Sequence, residues 1–228
     1  LGGVPSAEAD HVAYLESGVR AVPASLAIRV FAGSGACNVA IAFGARGPVL
    51  GNSNSCASGA IAIGEALRAI RDGDATAMIA GGAEAPLAPL TFSAFTVIRA
   101  MSTTNDEPDK ASRPFDARRD GFVMAEGAAI LILEEMAHAV ARDAKIYAEL
   151  SGFATTSDAF HMTAPQPHGR DAARAMRLAI RDAGLLPDEV ELVNAHGSST
   201  VLNDRTETMA IKEVLGERAR RVPVSGTK

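Results

Sequence analysis

The chain has 228 residues, 47% hydrophobic and 21% charged, with a net charge of −5. That balance describes a globular chain with a core, not a disordered one. The acidic charge, with no basic stretch interleaved with aromatics, excludes a general nucleic-acid binder. The longest apolar run, residues 128–133, is too short to cross a bilayer, and no charged-then-apolar pattern marks a signal peptide.

In chain order, residues 7–18 read as a short helix, and residues 34–43 as another that ends at Gly44. Gly47 and Pro48 break the chain, and 49–54 then reads as a short buried strand. From Cys56 onward Ala57, Ala60, Ile61, Gly64, Leu67 and Ile70 recur at helical spacing, with Gly73 as a left-handed cap. Residues 75–80 form an apolar strand closed by Gly81 and Gly82. The irregular stretch 101–120 has the length of a functional loop. Residues 121–134 read as two strands joined near Glu126 and Gly127. A short helix over 136–142 and a strand from 145 to 154 follow.

The second part repeats the alternation. Residues 171–183 form an amphipathic helix with Ala172, Met176, Ala179, Ile180 and Ala183 on one face, closed by Gly184. Residues 190–195 are a strand. Asn203 or Asp204 caps a helix that runs to Leu215, with Gly216 at its end. Residues 222–225 begin one more strand. Strands alternating with helices imply an α/β fold with mixed or parallel sheets, and the two similar units hint at internal duplication.

The two cysteines, Cys37 and Cys56, are too few for a disulfide framework, and a reducing cytoplasm is the simplest compartment. Cys56 lies at a strand-to-helix junction, flanked by the small residues Ala57, Ser58 and Gly59. A thiol there faces free N–H groups and the positive end of a helix dipole; both favour the nucleophilic thiolate, and the N–H groups can also hold an oxyanion. Position alone leaves open the alternative of an inert buried thiol. Cys37, mid-helix among small apolar residues, reads as packing.

His196 follows a strand and precedes Gly197, Ser198, Ser199 and Thr200, a common place for a site in an α/β protein. Its imidazole there can accept a proton or donate to an enolate oxygen, and the alternative is a structural loop histidine. His11, His138, His161 and His168 have no partner at ligand spacing, so no metal site is expected. His11 and His138 read as solvent-facing, and His161 lies in a loop able to line a cleft. Gly33 and Gly35 lack the lysine of a phosphate loop and read as packing. Arg113, Asp116, Arg118, Arg119 and Asp120, with Phe115 among them, read as an internally paired loop.

Four segments together carry a resemblance: residues 55–59 (SCASG), 78–84 (MIAGGAE), 111–126 (ASRPFDARRDGFVMAE) and 194–200 (NAHGSST). In that order they resemble the β-ketoacyl-acyl carrier protein synthases, most nearly the synthase II type of fatty acid synthesis. The likeness runs along essentially the whole chain. It implies a thiolase-like layered fold of two similar halves, 1–144 and 145–228, with both ends of the chain cut from something longer.

The resemblance also implies roles. Cys56 matches the acylated nucleophile, His196 a histidine that promotes decarboxylation of a malonyl unit, and Lys228 a lysine that shapes the field around it. Thr163, Ser198 and Thr200 match contacts to the pantetheine arm, and Phe95 a position beside the acyl pocket. Arg20 and Arg99 match basic positions at the docking surface for acyl carrier protein. The family is a homodimer and needs no cofactor, since its substrates ride on the phosphopantetheine of the carrier.

Some residues depart from the family pattern. Asn54 and Ser55 stand where threonine and alanine are usual, and Ser198 replaces a threonine. The family's second histidine comes a few residues after the lysine, and this chain stops at Lys228.

The implied reaction is a decarboxylating Claisen condensation giving a 3-oxoacyl carrier-protein product. Three alternatives are a type II polyketide ketosynthase, a thiolase, and a non-catalytic dimerising remnant. The NAHGSST segment weighs against a thiolase, and the presence of Cys56 weighs against a non-catalytic partner subunit.

Overall fold

The computed structural model describes residues 3–228. The chain forms two compact units, one of residues up to 94 with 124–150, the other of 95–123 with 151–228.

In the first unit α1 (Val4–Ser17) opens with Pro5 and ends at Gly18. A single turn, α2 (Leu26–Arg29), follows, and Arg29 pairs with Asp10 of α1 at 3.0 Å. Helix α3 (Ser34–Phe43) stops at Gly44, which is left-handed with φ 63°. Helix α4 (Ser58–Arg71) buries Gly64, Ala66 and Leu67; Gly64 and Leu67 lie on the face its spacing predicts, Ala66 does not, and Ala57 and Ala60 of that face are exposed. It packs on β1 (Ala77–Glu84), which pairs antiparallel with β2 (Gly127–Glu134). Helix α5 (Pro89–Val97) begins in this unit, where Glu8 accepts the N–H of Leu90 at 2.5 Å. Helix α6 (Met136–Ala141) follows β2 directly.

Gly81 and Gly82 do not close β1 as expected; they lie inside it. A Cβ on Gly81 would sit 2.1 Å from the Ala129 carbonyl oxygen, and one on Gly82 would sit 3.3 Å from the Cα of Gly59. Glycine here marks close approach of backbones, with no turn. Residues 121–134 hold one strand, not two: only an isolated bridge from Phe122 to Met101 precedes β2. Two further expected strands, 49–54 and 145–154, are absent. Their apolar β-formers suit a strand, but a strand needs a neighbour to take its N–H and C=O groups, and neither segment pairs with any described residue.

In the second unit α7 (Arg170–Asp182) packs against α8 (Val201–Leu215). Ala173, Ala210, Ile211, Val214, Leu215 and Val222 form its core, with Met176, Ile180, Val190 and Val193 against it. The apolar face predicted for α7 supplies Ala172, Met176 and Ile180 to this layer. Strand β3 (Val193–Ala195) pairs parallel with β4 (Val224–Gly226), matching Ala195 to Gly226. Both strands are shorter than the sequence suggests. Parallel pairing makes the two chains leave the sheet at one end, so His196 and Thr227 emerge as neighbours.

Candidate active site

Cys56 lies in a 3₁₀ turn, Ser55–Ala57, that runs straight into α4. Cys56 is exposed, so it does not pack as a small buried hydrophobe. Ser55, immediately before the cysteine, has a left-handed backbone with φ 50°. No side chain caps α4; it continues from the 3₁₀ turn, whose backbone bonds run from the Ala57 N–H to the Asn54 carbonyl and from the Ser58 N–H to the Ser55 carbonyl, across the cysteine. Cys37 is exposed as well, because none of α3 is buried; its packing role is not borne out.

The loop after β3 is held quite differently. Glu207 of α8 takes the N–H of His196 on one carboxylate oxygen at 2.7 Å and the N–H of Gly197 on the other at 2.9 Å. Asn203 adds its amide to the same carboxylate at 3.2 Å. Thr200, not Asn203 or Asp204, is the N-cap of α8 and accepts the N–H of Asn203 at 3.3 Å. Ser198 and Thr200 share a hydrogen bond between their hydroxyls at 2.9 Å. Ser199 points the other way: it is fully buried, left-handed at φ 64°, and its hydroxyl accepts the N–H of Arg113 at 3.1 Å.

Asp204, only 1% exposed, is the anchor for the charged loop. It accepts the Phe115 N–H at 2.8 Å and pairs with Arg119 at 3.4 Å, while Arg119 donates to the carbonyls of Asp116, Thr200 and Val201. Asp120 gathers the other end, accepting from Ser102 at 2.7 Å and from the Thr103 N–H at 2.9 Å, and these bonds hold its carboxyl below the usual range. The backbone N–H of Arg118 does the same for Asp116. The expectation of an internally paired loop around a half-buried Phe115 therefore holds.

His196 exposes part of its ring to water. Burial of the remainder pushes its pKa below the ordinary histidine value, the charge of Lys228 adds to that, and Glu207 and Asp204 oppose it. The balance favours neutral imidazole at neutral pH, the form able to donate a hydrogen bond and also to accept a proton.

Cys56 and Arg20 belong to the first unit. Phe95, Arg99, Thr163, His196, Ser198, Thr200 and Lys228 belong to the second. Within that unit the structure gathers His196, Ser198, Thr200 and Lys228 at one end of the β3–β4 pair. Phe95 stands edge-on to Phe122, with ring centres 5.6 Å apart. Thr163 is exposed on a loop where His161 Nδ1 accepts the N–H groups of Thr163 and Ala164, both at 3.1 Å. Arg20 and Arg99 are both exposed. Among the described residues no cluster of three or more acidic, histidine or cysteine side chains is placed to hold a metal, and no helix is long and apolar enough to cross a membrane.

Sequence reasoning missed Glu207, Ser199 and the anchoring role of Asp204. One signal was available: an acidic residue one turn past Asn203, near the start of a helix that opens directly after the NAHGSST segment.

Residues 2–139 match the beta-ketoacyl synthase N-terminal domain, and residues 147–228 the beta-ketoacyl synthase C-terminal domain. The chain belongs to the β-ketoacyl synthase family. It is 47% identical over 228 residues to a 3-oxoacyl-acyl-carrier-protein synthase 2 of Synechocystis sp., covering 100% of this chain and 55% of that protein. A beta-ketoacyl synthase structure from Burkholderia phymatum superposes with a TM-score of 0.91 at 42% identity, covering 100% of this chain and 54% of that one. A type II polyketide ketosynthase solved in complex with its acyl carrier protein gives a TM-score of 0.89 at 42% identity, over 92% of this chain and 52% of that one. The family's thiolase-like α/β fold is therefore the fold of this chain. The chain spans about half the length of the curated relatives it matches.

Proposed function

We propose that the protein is a 3-oxoacyl-acyl-carrier-protein synthase acting in fatty acid biosynthesis, with Cys56 as its nucleophile. The observation that carries this reading is the exposed thiol at the uncapped mouth of α4 in a chain of this family. The Cys56 thiolate attacks an acyl thioester, a new carbon–sulfur bond forms, the carbon–sulfur bond to the carrier breaks, and the carrier thiolate leaves. A malonyl thioester then loses CO2. Its electron pair passes to an enolate, whose oxygen takes a hydrogen bond from neutral His196. The enolate carbon attacks the acyl group on Cys56, the new carbon–carbon bond forms, and the Cys56 thiolate leaves. Covalent catalysis thus divides the condensation into separate steps.

The other roles follow from the resemblance. Lys228 shapes the field at His196, Thr163, Ser198 and Thr200 contact the pantetheine arm, Phe95 lines the acyl pocket, and Arg20 and Arg99 receive the acidic carrier. The halves are 1–144 and 145–228, a division supported by the two domain matches meeting between 139 and 147. The protein works as a cytoplasmic homodimer without a cofactor of its own. The test is to incubate the intact protein with an acyl carrier-protein thioester and read the mass of the Cys56 peptide. One acyl group on Cys56, lost in Cys56→Ala, is the expected result; an unmodified Cys56 peptide removes the proposal.

The likeness to a polyketide ketosynthase favours one second reading, repeated condensation without reduction of the product. Supplied with excess malonyl carrier protein, a fatty acid synthase stops at one added two-carbon unit, while a polyketide enzyme releases longer poly-oxo chains.

A further inference from the structure

We infer that Asn52 is a positioning residue for Cys56: its carboxamide closes the turn that holds the thiol at the mouth of α4. The inference rests on Cys56 being the nucleophile. Residues 49–54 lead into that turn exposed and with no strand pairing among the described residues, so no ladder fixes them. The Asn52 amide nitrogen donates to the Ser58 carbonyl at 3.1 Å, past the cysteine. Its oxygen accepts the Asn54 N–H at 3.4 Å, before the cysteine. The two partners are a carbonyl and an N–H, so only one orientation of the amide satisfies both.

On the other side, Gly51 lies against the backbone of Ala32 and Gly33, where an added Cβ would come within 3.0 Å of the Gly33 Cα. The segment is thus fixed by a backbone contact at 51 and a side-chain clamp at 52. Between the clamp's ends stands Ser55 in its left-handed conformation, which the rest of the turn must hold in place. An apolar residue at 52 can make neither bond. It frees Ser55 to relax and lets the thiol leave its place at the start of α4.

The test is the pH profile of iodoacetamide alkylation of the intact protein between pH 6 and pH 9, about the range in which a cysteine thiol titrates. Mass spectrometry separates Cys56 from Cys37, which serves as internal reference. In Asn52→Leu the Cys56 profile departs from the wild type and its rate at neutral pH falls by about tenfold, as expected when a reacting group loses its fixed position. Cys37 and the melting curve stay as in the wild type. Asn52→Ser, too short to span the turn, gives the same fall in rate and keeps the test alive where leucine impairs folding. A Cys56 profile that superimposes on the wild type in a folded variant overturns the inference. Alkylation needs no carrier substrate, so a protein whose Cys56 never takes an acyl group, yet whose profile follows residue 52, loses the functional reading and keeps the clamp.

Discussion

Cys56 and His196 are positioned by opposite means. The cysteine stands on an exposed turn closed by one side-chain amide and one backbone contact. The histidine stands on a loop whose backbone is bound by Glu207 on one side, and through Ser199 and Asp204 to the charged loop on another. In the proposed reaction the nucleophile gains from open access. A hydrogen-bond donor gains from a fixed direction, because its value depends on where the developing charge will be. The contrast predicts that perturbing the His196 side costs stability and rate together, while perturbing the Cys56 side changes reactivity with little change in stability.

The largest effect expected is from Asp204→Ala. It leaves the Phe115 N–H and Arg119 without their buried acceptor, and chemical denaturation should report a loss of about 3 kcal/mol. A loss below about 1 kcal/mol would show that the charged loop does not depend on this anchor. Next is Gly81→Ala, whose Cβ cannot fit beside the Ala129 carbonyl. The β1–β2 pairing should open, seen as a lower melting temperature and faster amide exchange over 77–84. Glu207→Ala frees two N–H groups at the histidine and should lower the rate of malonyl decarboxylation by about tenfold, with the Cys56 alkylation rate unchanged. If both rates fell together, the two regions would not be independent.

A smaller effect follows from pH. Because the folded His196 pKa lies below its unfolded value, the unfolded chain takes up the proton first as the pH falls. The stability contribution is complete above about pH 6.5 and is lost as the pH drops from there through the lowered folded value. His196→Gln should flatten the stability–pH curve in that window. The smallest effect concerns the end of β2, where Glu134 holds both His138 and Arg142, with Arg142 Nη2 at 2.6 Å. Hydrogen bonds from Arg142 and then His138 keep the Glu134 pKa at about 2. Carboxyl NMR should show that value rising in Arg142→Ala, with the melting temperature nearly unchanged.

The sequence made the helices legible where one face was apolar and a glycine stood at the end. Residues 34–43 with Gly44 came out as read, and the face of α7 did so in part, with Ala172, Met176 and Ile180 against the core but the fully buried Ala173 outside the predicted face. Strands were less legible because pairing is a property of two segments. Residues 49–54 look like a strand, and what they lack is a partner. At the site, residue type and local pattern made Cys56 and His196 candidates with alternatives open, and only the family resemblance singled out Thr200. Glu207 and Ser199 were hidden because both act through backbone N–H groups, and a backbone amide leaves no mark in a sequence. Asn52 was hidden for the same reason, its bonds running to the main chain at 54 and 58.

The paired hydroxyls of Ser198 and Thr200 have a consequence of their own. Thr200 already accepts from Asn203, and one proton lies between the two oxygens, so one O–H is left over for a guest. If Thr200 donates to Ser198, the spare proton is on Ser198; if the direction reverses, it is on Thr200. Two hydroxyl rotations exchange these states without moving a heavy atom. The loop can thus offer a visiting molecule a donor at either of two places, and the visitor's own acceptor decides which.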